Sequence, residues 1–401
     1  MYYGTHSRLL PGHMLYDLPA EVPTYRTTPP RSTTMRTKPA RAVNTSKPAR
    51  KPVAKAATKA TAAVKAKAGR PTPSHNGTTN GHAPKPARAG VAVKHSTYAT
   101  FATTHEFLTA QKPIIYVNGM MVPKAHAMVS VYDHGLLYGD GVFEGIRIYN
   151  GKIFKCGQHM ERLWRCAEMI RLRIPVSREE MVQVMRDCIE ANSIDNGYIR
   201  LIVSRGAGNL GLDPRKCPTA GVICIADQIS LYPKEFYQTG MRIIVAKRPR
   251  TPIECLDPRI KSLNYLNNIL GKVEAIDHGC DEAIMLNLDG YVGECTGDNI
   301  FVIKNGKVFT PPTESGILEG ITRRFVMDLC ADEGIACNVK AMRPDEVKGA
   351  DEVFLTGTAA EIIAVSQIDD SKIGTGAEGP VTKRLREAFR RVVTSQHVPE
   401  D

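Results

Sequence analysis

The chain has 401 residues, 42% of them apolar, which is enough for a sizeable core and suits two or three domains. A formal charge of +12 would suggest a polyanionic partner, but residues 1–100 hold 17 Lys and Arg against only Asp17 and Glu21, leaving a net −3 on residues 101–401. No run of about 18 apolar residues predicts a membrane span, and no apolar stretch near Met1 predicts secretion. The expected location is cytoplasmic, although a basic, Thr-containing, acid-poor start is also compatible with an organelle transit peptide. All ten cysteines fall between Cys156 and Cys337, with no C-x-x-C pair and no zinc-ligand spacing, so a reduced protein without a metal is expected.

Residues 1–111 are dominated by Ala, Lys, Pro and Thr, as in Lys47-Pro48-Ala49-Arg50-Lys51-Pro52. Such a segment buries too little apolar surface to offset its ordering entropy and is expected to be disordered. It reads either as a solvated extension, even a mis-assigned start, or as an arm that binds polyanions weakly.

Ordered structure is expected from Lys112. Ile114–Val117, Asn118-Gly119 and Met120–Pro123 spell a hairpin with a type I′ turn, and Val142–Tyr149, Asn150-Gly151 and Lys152–Phe154 repeat the pattern. A helix is predicted over Gln158–Leu172, with Met160, Leu163, Ala167 and Ile170 on one face. A second starts at the capping box Ser177-Arg178-Glu179-Glu180 and runs towards Ala191. Strands follow at Tyr198–Ser204 and Gly221–Ala226, completing a unit over 112–230. Residues 231–239 connect it to a larger unit over 240–395. That unit has strands at Met241–Ala246, Glu282–Leu286 and Glu352–Thr356, and a hairpin at Asn299–Ile303, Asn305-Gly306 and Lys307–Thr310. Its helices are expected at Ser262–Asp277, Thr322–Ala331 and Pro380–Val392. The fold class is α+β (mixed α/β).

Three fragments carry chemistry. In Arg259-Ile260-Lys261-Ser262-Leu263-Asn264-Tyr265 a lysine precedes an amphipathic stretch. A partly desolvated amine there could attack an aldehyde, whereas taken alone it reads as a surface lysine. In Leu318-Glu319-Gly320-Ile321-Thr322-Arg323 a glycine leads into a helix, whose unpaired N–H groups favour an anion such as phosphate; an ordinary helix start looks the same. In Gly290-Tyr291-Val292-Gly293-Glu294-Cys295-Thr296 an acid beside an apolar hairpin is either an exposed turn residue or a buried carboxylate in need of a partner.

In this order, and together with Tyr138-Gly139-Asp140-Gly141-Val142-Phe143-Glu144-Gly145-Ile146-Arg147, Gly357-Thr358-Ala359-Ala360-Glu361 and Gly379-Pro380-Val381-Thr382-Lys383, these fragments resemble the class IV, fold-type IV aminotransferases over residues 113–393. The resemblance implies a small N-terminal α/β domain, a larger C-terminal domain and pyridoxal 5′-phosphate as cofactor. It implies Lys261 as the Schiff-base lysine, Glu294 at the pyridine nitrogen and Tyr265 at O3′. Arg162, Ile321, Thr322 and Thr358 would hold the phosphate, and Leu318 would lie on the ring face. Tyr138, Phe143, Gly145, Tyr198, Arg200, Thr358 and Ala359 match substrate-pocket positions. Tyr198 with the Thr358-Ala359 backbone is assigned to the α-carboxylate, and Tyr138 with Arg200 to a glutamate side chain. A homodimer, or an oligomer built from dimers, is also implied.

Phe143-Glu144-Gly145-Ile146-Arg147 and Tyr198-Ile199-Arg200 resemble the branched-chain subgroup, which exchanges amino groups between L-leucine, L-isoleucine or L-valine and 2-oxoglutarate. Lys261-Ser262-Leu263-Asn264-Tyr265 has the shorter spacing also found in D-amino-acid aminotransferases, and aminodeoxychorismate lyases share the fold. Those two activities stay open at this stage, as does polyanion binding through the first hundred residues.

Overall fold

The computed structural model describes residues 112–401 other than 230, 231 and 234. The expectations for residues 1–111 lie outside that range. The first hairpin pairs β1 (Ile114–Val117) with β2 (Met120–Pro123), closing Val117 on Met120. Asn118 and Gly119 take φ of 50° and 93°, the positive pair that a type I′ turn requires. A short helix α1 (His134–Tyr138), not foreseen from the sequence, is capped by the Asp133 side chain and leads into β3 (Gly141–Tyr149) and β4 (Lys152–Ile153).

The first long helix, α2, spans Cys156–Met169 and buries His159, Met160, Arg162, Leu163, Cys166 and Ala167. The predicted apolar face is therefore interrupted by two polar side chains that belong to the site. Helix α3 (Arg178–Asn192) begins at the predicted capping box: Ser177 Oγ accepts from Glu180 N at 3.1 Å, and the Glu180 carboxylate accepts from Ser177 N at 2.7 Å. Strands β5 (Gly197–Ser204) and β6 (Gly221–Asp227) complete a six-stranded antiparallel sheet in the order β2-β1-β6-β5-β3-β4. Helices α2 and α3 cover one face, burying Leu163, Met181, Met185, Ile199 and Leu201 in one core.

Within the predicted connector, Phe236–Thr239 forms one helical turn, α4. Tyr232, Phe236 and Tyr237 pack on the core of the next sheet, so apolar burial orders these positions. The second part of the chain runs β7 (Met241–Val245), α5 (Leu266–Asp277), β8 (Glu282–Leu286), β9 (Val292–Cys295), β10 (Asn299–Lys304), β11 (Lys307–Thr310), α6 (Ile321–Asp332), β12 (Cys337–Val339), α7 (Pro344–Lys348), β13 (Glu352–Gly357), β14 (Glu361–Ile368), β15 (Ser371–Lys372) and α8 (Pro380–Val393). Eight of these strands lie in the order β12-β11-β10-β13-β14-β7-β8-β9, with β15 beside β14, in a sheet of mixed direction.

The two sheets share a core. Tyr149 and Phe154, from the first part, pack with Phe325 and Phe389 of α6 and α8; the Phe154 and Phe325 rings meet edge-on at 5.2 Å.

One expected element is corrected. The helix predicted from Ser262 begins only at Leu266, because the residues before it turn tightly, Ser262 N donating to Ile260 O at 2.8 Å and Tyr265 N to Leu263 O at 3.1 Å, and are bonded to β3. Phe143 N donates to Lys261 O at 3.0 Å, Leu263 N donates to Gly141 O at 2.9 Å, and Val142 bridges Ser262. Backbone bonding to another strand outweighs the local helical pattern of the side chains. Among the described residues no helix is long and apolar enough to cross a membrane.

Replacing Ser177 with Ala should cost about 1 kcal/mol. The expected result is a lower thermal midpoint with faster amide exchange in the first turn of α3, and an unchanged midpoint would contradict the capping role.

Candidate active site

Pairing with β3 sets the lysine. Lys261 is held beside Phe143, and its Nζ lies 3.0 Å from the Tyr265 hydroxyl and 4.5 Å from the Phe143 ring centre. Tyr265 meets Phe143 edge-on at 5.0 Å, so the amine sits between two aromatic rings, half-buried at the junction of the sheets.

Two adjoining pockets share Lys261, Tyr265, Asn268, Thr296, Gly297, Asp298 and Thr358. One is lined by Arg162, Glu294, Leu318, Gly320, Ile321, Thr322 and Thr356. The other, of about 370 Å³, is lined by Phe143, Gly145, Tyr198, Arg200, Asp298 and Ala359. A larger cavity, of about 1000 Å³, lies around Arg171, Arg173, Asp213 and Arg215 and shares no residue with either pocket. Size alone would select that cavity; the convergence of a lysine, buried carboxylates and a helix start selects the other two.

Arg162 is buried on α2. Its Nε and Nη2 each donate to Glu144 at 2.7 Å, and Nη1 donates to Glu319 O at 2.9 Å. A guanidinium has five N–H groups, so two remain for a ligand. Glu144 is fully buried on β3 and also meets His159 Nδ1 at 2.8 Å. Burial alone would raise the Glu144 carboxyl, but Arg162 and His159 outweigh it and hold it well below the usual carboxylate range. Burial pushes His159 below its ordinary value, against the pull of Glu144.

Glu294, on β9, is equally enclosed. Its carboxylate accepts from Arg250 Nη2, from Asn299 Nδ2 at 2.9 Å and from Leu318 N at 3.0 Å. Burial raises its pKa even against the Arg250 charge. Asn299 also donates to Leu318 O at 3.0 Å, tying the loop before α6 to the acid. Gly320 caps α6 without a side chain, and a Cβ there would come within 2.0 Å of Asn299 Oδ1, so the approach requires glycine. The backbone N–H groups of Ile321 and Thr322 find no acceptor among the described residues.

In the wider pocket the Arg200 guanidinium lies over the rings of Phe143 at 4.7 Å and Tyr198 at 5.5 Å. A Cβ on Gly145 would come within 1.8 Å of the Tyr198 hydroxyl, so this glycine makes room for that group. Burial raises the Tyr198 phenol above its ordinary value. Asp298 is buried beside Gly357, 3.4 Å from the Tyr232 hydroxyl, and burial together with the nearby Glu282 charge pushes it up to about 7.

Of the residues singled out from the sequence, all but Tyr138 line these two pockets. Tyr138 lies on α1 at the surface, its hydroxyl donating to Leu210 O at 2.5 Å. Sequence reading missed Arg250, Asn299, Asp298 and the Glu144–His159 pair as parts of the site. Arg250 follows Lys247 and Arg248 in what reads as a solvated basic run, and nothing local marks it as buried. The other four stand inside or beside motifs already quoted, where a buried polar partner could have been sought.

The matches to known proteins agree on one family. The family model described as Amino-transferase class IV covers residues 141–368. A Methanocaldococcus jannaschii protein, provisionally named a branched-chain-amino-acid aminotransferase, is 46% identical over 280 residues, spanning 70% of this chain and 96% of that one. The solved branched-chain amino acid aminotransferase of Escherichia coli superimposes with a TM-score of 0.69 at 36% identity, covering 70% of this chain and 94% of its own. A D-alanine aminotransferase of Bacillus licheniformis is 35% identical over 288 residues, 70% of this chain and 98% of that one. The chain belongs to the class IV aminotransferases, and its fold is the fold-type IV architecture of that family.

Asp298 gives a pH test. Folded, it keeps its proton up to about pH 7, whereas the ordinary value is 3.8. Its contribution to stability is therefore complete below the ordinary value and is lost as pH rises to 7. Asp298→Asn should gain on the wild type between pH 5 and pH 8 by on the order of 2 kcal/mol. Thermal melts at the two pH values check this, and a constant difference would refute it.

Proposed function

We propose that this aminotransferase moves the amino group of L-leucine, L-isoleucine or L-valine to 2-oxoglutarate, with pyridoxal 5′-phosphate held at Lys261. One observation carries the reading: the Lys261 amine and the buried Glu294 carboxylate line one cavity, which opens on a helix start with free N–H groups.

The residues fit the cofactor. The two unused N–H groups of Arg162 and the backbone N–H groups of Ile321 and Thr322 suit a phosphate. Thr356 Oγ1, on the same wall, is a buried hydroxyl without a hydrogen-bond partner in the protein. Lys261 Nζ would hold the aldehyde carbon, Tyr265 the ring hydroxyl, and Glu294 the proton on the pyridine nitrogen. Leu318 and Thr358 would close the ring face and the phosphate end. When bound, the cofactor supplies an electron sink for the bond broken at the substrate's α-carbon.

The chain's own groups do the rest. Lys261 Nζ would carry the proton from the substrate's α-carbon to the cofactor carbon that had borne the aldehyde, steadied by the Tyr265 hydroxyl at 3.0 Å. Arg250, Asn299 and the Leu318 N–H favour the ionised form of Glu294 against the burial that raises its pKa, and a cationic ring nitrogen beside it would favour that form further. Tyr198 and the Thr358-Ala359 backbone would receive the α-carboxylate.

Two substrates of unlike polarity must share the wider pocket. For an apolar side chain, Arg200 can stay on the Phe143 and Tyr198 rings, which themselves supply apolar contact area. For glutamate, the same guanidinium can turn to the second carboxylate, since among the described residues none pairs with it.

Purified enzyme should show the visible absorbance of bound cofactor and consume L-leucine with 2-oxoglutarate; Lys261→Ala should lose both. Turnover of D-alanine in place of L-leucine would transfer the assignment to the D-amino-acid enzymes, and pyruvate formed by elimination from aminodeoxychorismate would transfer it to the lyases.

A homodimer belongs to this reading. Val131, Leu136, Leu210 and Leu212 are exposed together, because α1 is tied to the 207–212 loop by Tyr138 and by His134 Nε2 against Asn209 O at 2.7 Å. A second copy covering this patch would take these apolar side chains out of water. Leu212→Asp should lower the solution mass by half in light scattering; an unchanged mass would count against this face.

A further inference from the structure

The turn between β13 and β14 lines both pockets through Thr358, and the wider one also through Ala359. It closes on a residue that the backbone does not favour there. Gly357 pairs with Glu361 across the hairpin, and Glu361 has φ of 60°, in the left-handed region where glycine and asparagine fit best. The backbone alone would be served by glycine, so the reason for glutamate lies in its side chain.

That side chain is buried and held from three directions. Oε1 accepts from Arg147 Nη2 at 3.1 Å and from the Tyr149 hydroxyl at 2.8 Å. Oε2 lies 2.8 Å from Arg390 Nη2, off the N–H direction, so this contact is an ion pair and not a hydrogen bond. Arg147 and Tyr149 stand at the end of β3, the strand that also carries Phe143 and Gly145. Arg390 stands on α8. A fourth tether joins the turn itself, where the Tyr237 hydroxyl donates to Ala360 O at 3.1 Å.

We infer that Glu361 is a positioning residue for substrate binding: its carboxylate clamps the Thr358–Ala360 turn to β3, setting the distance between the two walls that face the substrate. This rests on the functional reading above for what the turn binds. The geometry carries the clamp. One wall is β3 with Phe143 and Gly145, the other is the turn, and the Glu361 carboxylate bonds them directly. Without it, Arg147 and Arg390 face each other with no anion between them, and repulsion opens the gap.

Glu361→Gly tests this in the full-length holoenzyme, because it removes the carboxylate and relieves the backbone at the same time. A clamp predicts amide exchange at 357–361 faster by about tenfold, with β5 and β6 unchanged. It also predicts KM for the amino acid and for 2-oxoglutarate raised by about tenfold, with kcat within about threefold. Glu361→Gln, which keeps an acceptor for Tyr149, should fall between Gly and wild type. Exchange and both KM values within about twofold of wild type in Glu361→Gly would overturn the proposal. So would exchange that rises equally across the whole chain, since that marks a loss of general stability. A wild type with no transaminase turnover would sink the functional reading instead, and the exchange data would still decide the clamp.

Discussion

The site depends on a pair of backbone hydrogen bonds, Phe143 N to Lys261 O and Leu263 N to Gly141 O, which stitch the lysine segment to β3. That stitch fixes where Lys261 stands, so that its amine enters the cavity. It also places Phe143 against the amine, and with it the aromatic wall on which Arg200 rests.

Around that stitch the protein buries charge and compensates it locally. Glu144, Arg162 and His159 form one enclosed group, and Glu294, Arg250 and Asn299 another. Desolvation of each ion costs several kcal/mol, and such sets persist where every member has a partner of good geometry. Here the partners also leave open valences towards the cavity: two N–H groups on Arg162, two at the start of α6 and the Lys261 amine. The groups able to answer an anion and a carbonyl carbon are thus held in place by their neighbours before any ligand arrives, a preorganised arrangement. Glu361 extends the same pattern to the substrate side, where one carboxylate joins the turn of the larger sheet to the end of β3.

Much of this architecture was legible in the residues. The three Asn-Gly turns, the Ser177 capping box and the alternation in the paired strands predicted elements that the structure contains, because each is local: positive φ at Asn118 and Gly119, or a side chain returning to its own helix start, needs nothing distant. The fragments carrying Lys261, Glu294 and Thr322 were also visible as candidates, though each alone reads first as an ordinary surface lysine, turn acid or helix start. What was not legible were the partners. Arg250 lies 44 residues from Glu294, and Tyr149 lies 212 residues from Glu361. Ser262–Tyr265 was misread as helix because its pairing strand lies far back in the chain.

By itself, then, the sequence determined the short-range geometry, namely which segments turn, which alternate and where helices begin, together with the residue types able to bind a phosphate and an aldehyde. The tertiary structure alone decided which of those residues share a cavity, which stay at the surface as Tyr138 does, and which charges survive burial. The reason is physical: backbone preference acts over a few residues, whereas desolvation and ion pairing depend on what the fold brings within about 3 Å.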